Sequence, residues 1–297
     1  MYLKRMEIGK QEAGDTHLQS FEPPTEFNMN KFNNGRKFFK EHLFSCCIAM
    51  LFSLIIGMSI PDFLEALLFT RESDTPKKAL KRYLRTFKHV ASWHYDNVWE
   101  KNSLAQNSIL TVNKIHNKVR EDIKSLTLKK PLSQYDMGVV QSGFMGAVIM
   151  YSDKAGIKCS ESDLDDYVYF WYGIGHLLGI DFKYNICSNG LSQAFNICKE
   201  IEHEIINVFL ANPKPEYFYL ANTTVAAFQG GSKTLTLFTL PVISAMFMTL
   251  KWTDLSFSDK VRYSIWKFIF FAVKHCSFLR RYINNRIEKT FNLHFKD

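Results

Sequence analysis

The stretch SESDLDDYVYFWYGIGHLLG, residues 160–179, contains a helix with a start and a stop signal. Ser160 followed by Asp163 resembles a capping box with Asp in place of Glu, in which side chains satisfy the free N–H groups of a helix start. Gly179 suits the C-terminal stop. Between them apolar side chains recur at helical spacing, at Leu164, Tyr167, Val168, Trp171, Ile174 and Leu178. The stretch therefore predicts a helix rich in aromatic rings.

Helical signals recur on both sides of this stretch. Thr75-Pro76 places Thr at an N-cap and Pro at the first helical position, and residues 109–126 repeat apolar side chains at helical spacing. No alternation of period two is long enough to predict a sheet, and 14 Gly and 8 Pro are too few for a loop-rich β-sandwich. The sequence predicts an all-α fold, with a flexible leader over residues 1–36 and one helical domain over residues 37–290.

The composition limits the class of protein. Of 297 residues, 46% are apolar and 22% are charged, which is near the average for globular proteins and excludes a disordered or fibrous chain. The aromatic content of 15% requires that much ring surface be buried in a core, in a membrane or around a flat ligand. Six cysteines show no disulfide or metal-knuckle spacing, so we expect a reducing, intracellular environment.

The formal charge of +8 is unevenly distributed. Residues 71–130 carry 14 basic and 6 acidic side chains and residues 251–297 carry 10 and 4, whereas residues 131–250 carry 6 and 11. Basic segments of this kind suit an anionic lipid surface or an anionic ligand. Because no nucleic-acid-binding motif is present, we do not expect nucleic acid as a partner.

One apolar run leaves membrane association open. Residues 43–61 are uncharged, which approaches the ~20 residues that span a bilayer. The same run is compatible with a core helix, so we treat 43–61 as a candidate membrane-associated helix. No secretory signal peptide precedes it, because residues 1–36 are polar. A mean hydropathy of −0.14 excludes a polytopic membrane protein.

A histidine and an arginine lie beside an apolar helical stripe. His116 lies at the edge of the stripe, and Arg120 follows one turn later on the same side. The stripe consists of Val112, Ile115, Val119 and Ile123. A histidine in this position can ligate a haem iron while the arginine pairs with a propionate. The same spacing describes a half-buried histidine on a basic helix, and the residues alone do not decide between the two.

A second helical face combines polar and aromatic side chains. Arg82, Thr86, His89 and Trp93 share this face, with Arg85 beside it. Cations, a hydroxyl and an indole suit a polar pocket wall, and they equally suit a solvated surface helix.

Other site chemistries find little support. A di-iron carboxylate bundle needs two Glu-x-x-His elements, and only Glu200-Ile-Glu-His203 fits, in a charged stretch typical of a solvated helix face. The sequence has no His-Glu-x-x-His zinc motif, no Cys-x-x-Cys-His haem attachment, no phosphate-binding glycine loop and no Gly-x-Ser-x-Gly elbow.

Three motifs occur in order between residues 70 and 200. The first joins Arg82-Tyr-Leu-Arg-Thr86 to His116-Asn-Lys-Val-Arg120, the second is Gln141-Ser-Gly-Phe-Met-Gly146, and the third is FWYGIGHLLGIDFKYN at 170–185. Together they resemble the catalytic domain shared by the endoplasmic-reticulum-bound oxygenase MpaB and the rubber oxygenase, or latex-clearing protein (Lcp). The resemblance is greatest to the animal, insect-type branch of this family.

The resemblance implies an all-α, globin-like core that holds non-covalent b-type haem. By position it implies that His116 is the metal ligand, with Arg82, Thr86 and Arg120 in the polar shell around the haem. Glu65 corresponds to the distal carboxylate with an offset of about one residue, so we assign Arg82, Thr86 and Glu65 to catalysis. Arg85 stands where rubber oxygenases have an iron-binding lysine; because arginine stays protonated, we assign Arg85 to cofactor binding instead.

The leading hypothesis from the sequence is a haem-dependent oxygenase. The resemblance implies dioxygen and an apolar, isoprenoid-like or lipid substrate, and an association with the endoplasmic reticulum membrane. Two alternatives stay open: a non-catalytic haem- or lipid-binding descendant, and a membrane-anchored helical protein without a cofactor. Arg85, with Tyr169 and Tyr172 where family members carry histidine or arginine, motivates the first alternative. The oligomeric state does not follow from the sequence.

Overall fold

The computed structural model describes residues 2–14, 21–126, 132–230, 234–247 and 250–293. Within these ranges the regular structure is helical, apart from a single isolated bridge between Ala13 and Ser133. The all-α prediction is confirmed. The helices are α1 (Tyr2–Met6), α2 (Met29–Glu41), α3 (Leu43–Gly57), α4 (Pro61–Thr70), α5 (Pro76–Tyr95), α6 (Leu104–Leu126), α7 (Gln134–Tyr151), α8 (Glu161–Leu177), α9 (Gly190–Glu200), α10 (Asn207–Ala211), α11 (Pro215–Gln229), α12 (Leu240–Phe247), α13 (Phe257–His275) and α14 (Ser277–Phe291). Short 3-10 turns cover Glu7–Gln11, Thr234–Leu237 and Trp252–Asp254, and a π-helical turn covers Ile201–Ile206.

The caps of α8 form as the sequence predicts. The Ser160 hydroxyl accepts the N–H of Asp163, and the Asp163 carboxylate accepts the N–H of Ser160. At the other end Gly179 has a φ of 76°, a left-handed conformation that glycine adopts without steric cost. The N–H of Ile180 then reaches back to the carbonyl of Gly175, which closes the helix end.

An aromatic core forms where α2, α5 and α8 meet. The imidazole of His94 stacks between the rings of Phe39 and Phe170, with ring centroids 3.7 and 4.0 Å apart. At Gly35 an added Cβ would lie 2.4 Å from the carbonyl oxygen of Asp166, so only glycine lets α2 approach α8 this closely. Much of the high aromatic content is therefore used in packing helices against each other.

The apolar run at residues 43–61 is divided in the structure. It forms α3, of 15 residues, and then a turn before α4 begins at Pro61. Eight residues of α3 are buried. Across the described ranges no single helix has both the length and the apolarity needed to cross a membrane. Only the pair formed by α2 and α3 meets these requirements, and the two helices are bent by 90° at their junction.

The segment predicted as a leader contains helical structure in its described part. Leu3 and Met6 are buried, and the Glu200 carboxylate accepts the N–H groups of Tyr2 and Leu3 at 2.6 and 3.0 Å. Helix α2 begins at Met29, inside the expected leader. The physical reason is that α1 buries its two apolar side chains while Glu200 satisfies its free N–H groups.

Candidate functional site

A large cavity, with a volume of about 2510 Å³, lies among the helices. Its walls include residues of α3 to α8, of α13 and α14, and of the π-helical turn. Much of its lining is apolar and aromatic, including Phe63, Phe144 and Trp171. Pockets for drug-sized ligands usually have volumes of about 300–1,000 Å³, so this cavity has room for more than one such group.

The polar face of α5 forms one wall of this cavity. Arg82, Arg85, Thr86, His89 and Trp93 all line it. The pattern that was ambiguous in the sequence is therefore a pocket wall. Other residues of α5, among them Ala79, Ala91 and His94, are buried in the core.

Hydroxyl groups at the end of α4 and in the following loop hold Arg82 in place. Its Nη1 donates to the hydroxyl of Thr70 at 2.8 Å and to that of Ser73 at 3.4 Å. The Ser73 hydroxyl in turn lies 3.1 Å from the phenol of Tyr83. Burial lowers the pKa of Arg82, yet a guanidinium remains charged at neutral pH. The site therefore contains a fixed cation.

Arg85 and Thr86 are held by groups on α5 or next to it. The Arg85 guanidinium forms an ion pair with Glu72, which also lines the cavity. The Thr86 hydroxyl donates to the carbonyl of Arg82 at 3.3 Å. Both side chains remain exposed, so this part of the wall is accessible to a ligand and to water.

A hydroxyl bridge connects α5 to α6. The Nδ1 atom of His89 lies 2.7 Å from the Ser108 hydroxyl, which also accepts the indole N–H of Trp93 at 2.9 Å. Burial, and secondarily the charge of Arg85, lowers the pKa of His89, so its imidazole is neutral at neutral pH. The sequence pattern indicated the His89 face but not its partner Ser108.

His116 lies on α6 and lines the cavity with the apolar stripe predicted around it. Burial lowers its pKa to about 4, so the imidazole is neutral at pH 7. A neutral imidazole has a lone pair on one nitrogen, which is the form that binds a metal. The structure therefore brings His116 into the same cavity as the polar face of α5.

Of the two remaining predicted site residues, Glu65 lines the cavity and Arg120 does not. Glu65 on α4 lines the cavity, and its carboxylate lies 3.5 Å from Nζ of Lys214. Arg120 is buried, but it is not among the residues that line the cavity. Its Nη1 donates to Oδ1 of Asn117 at 2.6 Å, within α6 itself. Burial lowers the pKa of this guanidinium as well.

Residues of the second and third motifs line the cavity and are connected to each other by hydrogen bonds. The Gln141 amide donates to the carbonyl of Trp171 at 2.8 Å and to Asn185 Oδ1 at 3.0 Å. Asn185 donates to the carbonyl of Tyr172 at 3.0 Å. An added Cβ at Gly175 would lie 2.6 Å from both amide nitrogens, so the helix end, the loop and α7 fit together only around glycine.

Gly143, from the second motif, has a different role. It lines the cavity, and an added Cβ there would meet no atom within 4 Å. Gly143 therefore leaves open space on the α7 wall, where a flat or chain-like ligand can approach the backbone.

The π-helical turn contributes the Glu202 carboxylate to the lining, where it lies next to Tyr151. The Tyr151 hydroxyl donates to the Glu202 carboxylate at 2.5 Å, and Lys199 Nζ lies 3.2 Å from both groups. Burial is the main cause that raises the pKa of Tyr151, followed by its bond to Glu202. Among the described residues no three His, Cys, Asp or Glu side chains form a group that could hold a metal ion.

Known proteins resemble this chain in sequence and in fold. Residues 40–183 match the family described as "ER-bound oxygenase mpaB/B'/Rubber oxygenase, catalytic domain". A solved structure, "Structure of Latex Clearing Protein LCP in the closed state", aligns with 97% of this chain and 84% of its own, with 16% sequence identity and a TM-score of 0.64. No curated protein sequence matches the chain. The predicted resemblance to an oxygenase family is confirmed, and the solved structure shows a shared fold.

Proposed function

Because residues 40–183 match the catalytic domain of the MpaB and rubber oxygenase family, we propose that this protein is a haem-dependent oxygenase acting on an apolar substrate. The observation that carries the proposal is the position of His116. Its neutral imidazole lines a large, mainly apolar cavity, which Arg82 and Thr86 also line from another helix.

The residues of the cavity fit a b-type haem. Its macrocycle supplies four nitrogens in the plane, so one neutral imidazole from the protein is enough to hold the iron, and His116 is our candidate. The two propionates would need cations, and Arg82 and Arg85 in the cavity wall are the residues that would pair with them. Arg120 lies outside the lining, so its expected pairing with a propionate is not part of this proposal.

When bound, the haem would supply the activation of dioxygen, and the protein provides the surroundings. The Arg82 guanidinium, fixed by Thr70, would offer hydrogen-bond donors at the cavity wall, where they favour developing negative charge, and the Thr86 hydroxyl would become a further donor on release from the Arg82 carbonyl. Glu65 provides a carboxylate that can accept a proton. The aromatic walls orient an isoprenoid-like or lipid chain and exclude water from it.

Absorbance spectroscopy tests the proposal directly. The purified protein reconstituted with haemin should show a Soret band, and the His116→Ala variant should lose its intensity or shift it. His203→Ala is the matched control, since His203 is exposed and lies outside the cavity lining. If His116→Ala and the unmodified protein gave the same spectrum, His116 would not be the ligand.

The size of the cavity favours a second candidate function, the binding of a lipid without turnover. A volume of about 2510 Å³ can hold a long apolar chain whether or not a reaction occurs. Oxygen uptake with a polyisoprenoid substrate separates the two functions. Haem binding without any substrate-dependent oxygen uptake would favour the lipid-binding protein.

We also propose that the protein associates with the endoplasmic reticulum membrane. The family description includes an ER-bound oxygenase, which is the support for this location. Fractionation of cells that express the full chain would test it, and recovery outside the microsomal fraction would contradict it.

A further inference from the structure

The outward faces of α13 and α14 are unusually apolar. The described residues include 19 large hydrophobic side chains that are exposed, and eight of them lie between Trp252 and Tyr282. Phe257, Phe268 and Phe278 are 84%, 70% and 79% exposed. The other five are Trp252, Val261, Ile265, Phe271 and Tyr282. We call these eight residues the aromatic face.

The packing of the domain does not account for this face. Helix α13 buries its opposite side, where Trp266, Phe270 and Val273 are almost inaccessible and the Trp266 ring stacks on Phe238 at 3.8 Å. A surface helix of a globular protein normally carries polar residues on the side away from the core. Exposed apolar patches of this kind mark a surface that is covered by something else.

A row of cations follows one edge of the aromatic face. Lys260, Lys267 and Lys274 recur every seven residues, which keeps them on one side of α13, and α14 carries a further cation, Arg281. Lys274 is paired with Asp153, whereas Lys267 and Arg281 form no ion pair within the described part of the chain. Long basic side chains beside an apolar face can reach lipid phosphates while the rings enter the acyl layer.

The lining of the cavity extends to this face. Phe268 and Tyr282 belong to the aromatic face and also line the cavity, and Arg286 lines it beside them. Two exposed rings of the aromatic face therefore lie directly beside the cavity.

We propose that the aromatic face docks on the surface of an anionic phospholipid bilayer, with α13 and α14 lying in the plane of the interface. Charge distinguishes this occupant from a second copy of the chain. Residues 251–297 carry 10 basic and 4 acidic side chains, so two such faces would repel each other, whereas anionic headgroups attract them.

Docking would also explain how a water-insoluble substrate reaches the cavity. The acyl layer would lie against Phe268 and Tyr282, so the substrate enters sideways from the bilayer. This consequence rests on the oxygenase function proposed above, whereas docking itself does not.

Vesicle co-sedimentation of the full chain, without haem, tests the docking. The probe is phosphatidylcholine vesicles with and without about 30% phosphatidylserine. Replacing Phe257, Phe271 and Phe278 with Ser should lower the partition coefficient at least about tenfold, since these exposed rings line neither core nor cavity. Lys267→Gln and Arg281→Gln should each cost about fivefold, and only on vesicles that contain phosphatidylserine.

The control is the double variant Ile8→Ser and Phe182→Ser, which removes two exposed apolar side chains outside α13 and α14. It should bind vesicles like the unmodified protein. Equal sedimentation of the triple Phe variant would overturn the proposal, as would absence of binding by the unmodified protein. A dimer in light scattering that the triple variant abolishes, with no vesicle binding, would assign the face to a second copy. Because no haem is used, a failed Soret test does not affect this result.

Discussion

The Nδ1 atom of His89 on α5 lies 2.7 Å from the hydroxyl oxygen of Ser108 on α6. Helix α5 carries Arg82 and Thr86, and α6 carries His116, so this contact sets the position of one cavity wall relative to the other. The same hydroxyl accepts the indole N–H of Trp93, so two side chains of α5 bond to one side chain of α6. The site thus depends on a serine that has no chemical role of its own.

Removing this hydroxyl should weaken the connection between the two helices. In the Ser108→Ala variant the N–H of Trp93 and the imidazole of His89 lose their partner, and we expect the free energy of unfolding to fall by about 1–3 kcal/mol. Urea denaturation measures this. Ser125→Ala is the control, because the Ser125 hydroxyl is exposed and bonds only within its own helix. A loss equal to that of the control would mean that the bridge does not connect the helices.

Replacement by alanine should have opposite effects on stability at Gly143 and at Gly175. Gly143→Ala adds a methyl group in open space and should leave stability unchanged or raise it by up to about 1 kcal/mol, because alanine favours helix. Gly175→Ala forces the Cβ to within 2.6 Å of the Gln141 and Asn185 amides and should destabilise the protein by about 1–3 kcal/mol. Thermal unfolding compares the two variants, and similar melting temperatures would contradict the expectation.

Filling the same space with a larger side chain should affect ligands rather than folding. Gly143→Leu projects four carbon atoms into the cavity, so haemin or substrate binding should weaken while the helical content stays the same. Titration of haemin, followed by absorbance, measures the change, and circular dichroism controls for folding. Haemin affinity equal to that of the unmodified protein would exclude the space at Gly143 from the haem site.

Replacing Arg82 tests the cation of the α5 wall. In Arg82→Gln a charged donor is lost from the cavity, and we expect haemin to bind about tenfold more weakly, in keeping with one charge-assisted hydrogen bond. Lys81→Gln removes the same charge from a neighbouring exposed position outside the lining and is the matched control. An equal effect of both changes would indicate a general charge effect instead of a contact with the ligand.

Buried histidines should make the protein sensitive to acid. Burial lowers the pKa of His42 to about 4, below its unfolded value of about 6.5. Between these values the unfolded chain binds more protons than the folded one, so the free energy of unfolding falls as the pH falls from about 6.5 to about 4. In His42→Gln the fall in the free energy of unfolding over this pH range should be smaller by roughly 2 kcal/mol. Urea unfolding between about pH 7 and pH 5 measures it, with the exposed His203→Gln as control; parallel pH profiles for both variants would contradict it.

Helix boundaries were accessible from the sequence because capping and periodicity act over a few residues. The Ser160 and Asp163 box and Gly179 delimit α8 as predicted. Thr75 likewise caps α5 by accepting the N–H of Lys78. The apolar stripe beside His116 can also be seen in the spacing, but its assignment as a metal ligand came from the family resemblance.

Tertiary contacts decided what local patterns left open. Arg82 and Arg120 both follow helical faces that suit a pocket, yet only Arg82 lines the cavity, because Arg120 bonds to Asn117 on its own helix. Glu72 and Ser108, the partners of Arg85 and His89, gave no signal in the sequence, since each is paired with a residue more than ten positions away.

By itself the sequence determined the all-α class, the resemblance to an oxygenase family and a candidate histidine. Only the tertiary structure decided that the face of α5 is a cavity wall, that the helix formed by the run at 43–61 ends at Gly57, and that α13 carries exposed phenylalanines. The N–H and C=O groups of a helix bond to groups a few residues away in the chain, so the types of neighbouring residues are enough to predict the helix. A cavity or an exposed face is defined by segments that are distant in sequence, and their meeting depends on how whole helices pack.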